Sequence, residues 1–208
     1  MPLDGTPPAK APIFNLPPMT KALLAVNCAV FLVEWLLPDR ALDSLLDTFG
    51  FVPVRYLGWT ESWWPALLAP ISFQFLHEGA SHLFANMLGL VAFGAGVEPR
   101  MGRWRFLVFY LLCGIAGAAA QFAATPHAIA ALIGASAGVS GLFGAILRFG
   151  AFRRRFWLLV GLWLVMNLVT GTAGTLAVGP VAWIAHVGGF VCGLLLYPLF
   201  VHEDFAGK

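Results

Sequence analysis

The chain has 208 residues, of which 60% are hydrophobic and 11% charged, with a mean hydropathy of +0.83. A soluble domain carries roughly 25% charged residues, so a water-exposed fold is excluded and lipid is the expected solvent. The formal net charge of +2 is too small to point to nucleic acid, and Cys28, Cys113 and Cys192, far apart in apolar runs without CxxC spacing, read as small core hydrophobes.

Residues 1–19 are proline-rich and lack periodicity, and are expected to form a flexible tail. Hydropathy then marks six spans, at about 20–37, 80–97, 104–124, 132–150, 156–171 and 178–200. Several approach the roughly 20 residues needed to cross a bilayer, while the fourth and fifth are short. No small-residue cleavage site follows the first span, which therefore reads as a retained helix and not a signal peptide. Between the first two spans runs a long loop, about 38–79, in which Phe51, Trp59, Trp63 and Trp64 stand beside carboxylates. That mixture suits a structure lying in the membrane interface, and equally an ordinary connection with an aromatic belt. The expected fold is an all-α membrane protein, a six-transmembrane-helix bundle over 20–200 with a long interfacial loop, closed by a short tail at 201–208.

Orientation follows from the cations. Lys10 and Lys21 precede the first span, Arg100, Arg103 and Arg105 join the second and third, and Arg148 and Arg153–Arg155 join the fourth and fifth. With six spans all of these fall on one side together with Lys208, whereas the opposite loops hold only Arg40 and Arg55. The positive-inside bias then places both termini in the cytoplasm.

Polar residues inside the spans are the ones a lipid-facing chain should avoid. His82 and Asn86 stand at i and i+4 near the outer start of the second span, Ser136 and Ser140 at i and i+4 near that of the fourth, and His186 near that of the sixth. These three spans run in the same direction, so their polar sets share the outer half of the bilayer. Gly138, Gly141 and Gly144, with Gly189 and Gly193, form small-residue surfaces for close helix packing. Such packing would bring a serine hydroxyl within reach of a histidine base, although small-residue seams by themselves are common in any helical membrane protein.

The runs FLHEGASHLFANMLGLVAFGAGVEPRMG, IGASAGVSGLFGA and AHVGGFVCGLLL resemble, in order, the three signature stretches of the rhomboid family of intramembrane serine proteases, over roughly 71–200. The resemblance implies a rhomboid-like bundle in a bacterial inner membrane that cleaves transmembrane protein substrates without a cofactor or metal. It further implies Ser136 as nucleophile, His186 as general base, and His82 and Asn86 as side-chain donors to the oxyanion. A neutral histidine and an amide are chemically suited to that role. Among the two serines, Ser140 fits a literal GxSG search. Ser136 fits the family register, and in the first helical turn its N–H is free for an oxyanion.

Departures from the family pattern are Ala137 in place of a glycine after the nucleophile, Ser140 in place of a tyrosine one turn on, and Leu68-Ala69 where a Trp-Arg pair is usual. They keep open an inactive rhomboid-like protein that binds membrane helices without cutting them. A proton-relaying transporter using His82 and His186 lacks an evident inverted repeat. His77 and His82 are spaced i, i+5, which does not match the i, i+4 of a zincin helix. Because a helix hides its carbonyls, substrates are expected to carry small or helix-breaking residues near the cut.

Overall fold

Proline and glycine set the helix boundaries in this apolar chain. The computed structural model describes residues 16–58, 63–149, 153–177 and 183–201; Lys10, Trp59, Pro180, Lys208 and most of both expected tails lie outside them. Among the described residues there are eight helices: α1 (Pro18–Leu36), α2 (Asp39–Phe49), α3 (Trp63–Ser72), α4 (Ala80–Met101), α5 (Arg103–Ala124), α6 (Ser136–Arg148), α7 (Phe156–Ala177) and α8 (Trp183–Phe200). Pro18 opens α1 at its first turn, where a missing N–H costs nothing. Gly102, at φ 77°, makes the sharp turn from α4 to α5.

The six predicted spans correspond to α1 and α4–α8. Four of them, α1, α4, α5 and α8, are long and apolar enough to cross a membrane on their own. The fourth span differs from expectation: residues 132–135 are not helical, and α6 has only 13 residues, or about 20 Å of rise. That is less than the roughly 30 Å hydrocarbon thickness, so α6 by itself is too short to cross it. Large apolar side chains nevertheless cover the outside of the bundle, among them Trp35 at 74% exposure, Phe84 at 70%, Trp157 at 80% and Leu199 at 76%. An exposed apolar surface of that extent is suited to lipid contact.

The long loop is structured. It holds α2 and α3, and its aromatic groups stack, Phe51 on Tyr56 at 4.8 Å between ring centroids. Arg55 ties itself to the end of α2 through the carboxylate and backbone carbonyl of Asp47. More consequentially, the loop pairs with the segment ahead of α6. Phe51 and Leu132 exchange both backbone hydrogen bonds, and Gly134 donates to the Phe73 carbonyl at 2.9 Å. Backbone groups that a buried coil would leave unpaired are thereby satisfied, and the start of α6 is held in register.

Three helices form the centre. α5, α6 and α8 meet along small residues: a Cβ at Gly189 would stand 2.1 Å from the Ala137 carbonyl oxygen, and one at Gly193 2.0 Å from that of Gly141. Only glycine allows backbones this close. α1 is fixed from the opposite end of α4, where the Glu98 carboxylate accepts from the N–H groups of Met19 and Thr20 and from the Thr20 hydroxyl. This is a helix N-terminus capped by a distant acid, which gives Glu98 a structural role.

Candidate active site

Ser136 is the first residue of α6, half-buried, with Ala135 as its N-cap. The Ala135 carbonyl accepts the first helical bond, from Val139 at 3.0 Å, so the N–H groups of Ser136, Ala137 and Gly138 have no intrahelical acceptor. On α8, His186 reaches across the glycine seam and its Nε2 stands 2.7 Å from Ser136 Oγ. The close approach at Gly189, one turn along α8, is what permits this separation. The two residues that the sequence singled out are thus in hydrogen-bond contact.

Ser140 lies one turn further along α6 and is buried, at 6% exposure. The methyl of Ala137, the departure beside Ser136, is accommodated by Gly117 of α5, where a Cβ would meet it at 2.6 Å.

His82 and Asn86 project from the first turns of α4 toward the segment that leads into Ser136. A Cβ at Gly134 would lie 2.8 Å from His82 Nε2 and 3.7 Å from Asn86 Nδ2. Gly134 also has φ +120°, so two requirements converge on glycine there. Asn86 is 5% exposed and its Nδ2 has no partner among the described residues. A buried donor left unpaired costs about 1–3 kcal/mol, which is characteristic of a group reserved for something not yet bound.

Just before α4, His77 is buried with its ring 5.2 Å from that of His82. Burial, and secondarily the charge of His82, holds it down to about 4, against a partial opposing effect of the Phe75 backbone, so it is neutral near pH 7. Its backbone N–H donates to the buried Glu34 carboxylate of α1 at 3.1 Å. No group of three or more metal-ligating side chains occurs among the described residues.

One side chain at the site was not anticipated. Asn167 of α7 places Oδ1 2.5 Å from His186 Nδ1 and is 4% exposed. The available signal was its isolation, a single amide in the apolar run FWLLVGLWLVMNLV, because a polar group inside a span faces the bundle interior by default.

Comparison with known proteins agrees in one direction. The Rhomboid domain, as a family profile, matches residues 60–203. Rhomboid protease GluP of Bacillus subtilis is 35% identical over 178 residues, which is 85% of this chain and 34% of GluP. RHOMBOID-like protein 6, mitochondrial, of Arabidopsis thaliana is 25% identical over 90% of this chain and 72% of its own length. RHOMBOID-like protein 7 of the same plant is 33% identical over 64% of this chain and 42% of its own. The chain therefore spans about a third of GluP.

Proposed function

Since the chain belongs to the rhomboid family of integral membrane proteins, we propose that it is an intramembrane serine protease in which Ser136 is the nucleophile and His186 the general base. The observation that carries this is the 2.7 Å contact between His186 Nε2 and Ser136 Oγ at the half-buried start of a short helix. In the proposed reaction His186 accepts the Ser136 proton as Oγ attacks a peptide carbonyl, then delivers it to the leaving amine. Water, activated by the same base, next releases the acyl group from Ser136. The negative oxygen formed in each step is held by the Ser136 N–H, His82 and Asn86, donors of a kind worth roughly 3–4 kcal/mol each.

The substrate is a transmembrane protein with small or helix-breaking residues near the cut, since a regular helix would not present its carbonyl. The proposed setting is a six-span domain at 20–200 in a bacterial inner membrane, with cytoplasmic tails at 1–19 and 201–208. Access of water to Ser136 in this setting is consistent with α6 being too short to reach both surfaces.

The test is labelling of purified protein by a fluorophosphonate, with cleavage of a model transmembrane substrate in parallel. Ser136→Ala and His186→Ala should lose both, and Ser140→Ala should retain a measurable fraction of each. Labelling that persists in Ser136→Ala and vanishes in Ser140→Ala would move the nucleophile one turn inward. Folded wild type that binds the substrate helix without labelling or cutting would instead identify an inactive, helix-binding member of the family.

A further inference from the structure

Helices α7 and α8 are antiparallel and share a register set by aromatic packing. Trp163 stacks on Phe190 with ring centroids 4.7 Å apart. One turn along α7 from Trp163 is Asn167, and one turn back along α8 from Phe190 is His186, so the same register brings the amide against the imidazole, Oδ1 to Nδ1 at 2.5 Å. We propose that Asn167 is a positioning residue that fixes the ring orientation and tautomer of His186, making a Ser136–His186–Asn167 relay where the sequence pattern indicates only a pair. This rests on the protease reading above.

The chemistry of the amide decides which tautomer results. Asn167 Nδ2 donates to the Trp163 carbonyl at 2.8 Å, and a carbonyl can only accept, so the atom turned to His186 is Oδ1. An amide oxygen also only accepts. Nδ1 of His186 must therefore carry the proton, which leaves Nε2 bare to accept from the Ser136 hydroxyl. That is the tautomer a general base needs, and the opposite one would aim an N–H at Oγ.

An asparagine suits this place better than an acid. α7 presents Leu162, Val165, Met166, Leu168 and Val169 on its exposed surface, and a carboxylate in such surroundings carries a large desolvation penalty. The amide orients the ring without placing a charge there, and both of its ends are satisfied.

The test uses full-length protein in proteoliposomes, with Asn167→Leu, of similar volume but no acceptor, and Asn167→Asp, which keeps an acceptor but loses the donor to Trp163. Histidine nitrogen shifts, with His186 assigned by difference from His186→Gln, report the tautomer directly. Wild type should show a protonated Nδ1 and a bare Nε2. Asn167→Leu should lose that preference and slow fluorophosphonate labelling roughly 10- to 100-fold, with a thermal midpoint near that of wild type. Asn167→Asp should restore both the tautomer and most of the rate at a lower thermal midpoint, because its buried carboxylate is desolvated. A wild-type His186 protonated at Nε2 overturns the proposal whatever the variants do. An unchanged tautomer and rate in Asn167→Leu overturns it too, as does an equal loss of rate in both variants with the tautomer intact, which would mark Asn167 as a tie to Trp163. Absence of labelling in wild type would reject the protease reading, and the nitrogen shifts would still decide the role of Asn167.

Discussion

Asn86 places an amide nitrogen without a partner at a buried position beside Gly134, two residues ahead of Ser136. In the proposed reaction such a donor gains its hydrogen bond only when an oxyanion forms, so its contribution would belong to the transition state. Asn86→Ala should therefore lower kcat roughly 100-fold with little change in KM or in expression. Activity should remain measurable, because His82 and the Ser136 N–H are untouched. Steady-state cleavage in detergent or bilayers checks this, and an unchanged kcat would return Asn86 to a packing role. At the same scale, the Ala137 methyl is accommodated in the packing, since Gly117 provides the room it needs.

The separation of Ser136 and His186 is a property of helix packing and not of either side chain alone. α6 and α8 approach through Gly189 and Gly193, where a Cβ would fall 2.1 and 2.0 Å from backbone oxygens of α6. Backbone cannot yield as a flexible side chain can, so Gly189→Ala should shift α8 and take His186 away from Ser136. The expected outcome is a destabilisation of about 1–3 kcal/mol, read as a lower thermal midpoint, together with loss of fluorophosphonate labelling. Gly161, which meets nothing within 4 Å, supplies the control, and Gly161→Ala should leave both measurements unchanged. Equal behaviour of the two variants would show that the seam does not set the dyad.

Across the whole molecule, the structured loop and the short helix depend on each other. The loop pairs with Leu132 and Gly134, and this keeps residues 132–135 out of the helix until α6 begins at Ser136, which places Ser136 and His186 at one end of the bundle. Arg100, Arg103, Arg148 and Arg154 lie toward the other end. With six spans, an impermeant maleimide added to intact cells should label His127→Cys, in the turn after α5, and should not label Arg154→Cys or Lys208→Cys in a cysteine-free background. Labelling of Lys208→Cys from outside would require an odd number of crossings or the inverted orientation, and either would overturn the proposed topology.

The amino-acid order by itself determined the class of molecule and marked apolar runs that overlap α1 and α4–α8, four of them long and apolar enough to cross a membrane, because burial in lipid demands long uninterrupted apolar runs that hydropathy reads directly. Its bounds differ most at the end of α7, which continues six residues past 171. It also singled out Ser136, His186, His82 and Asn86, since polar groups in such runs are few enough to stand out. α6 starts four residues later than hydropathy indicates: 132–135 are apolar enough for a helix, and the pairing of Leu132 with Phe51 and of Gly134 with Phe73 keeps them out of it. Asn167 was passed over for a related reason. A lone amide in a helix carries no sign of its partner, and which residue it meets is decided by the register in which Trp163 of α7 stacks on Phe190 of α8, a contact between helices that no local pattern encodes.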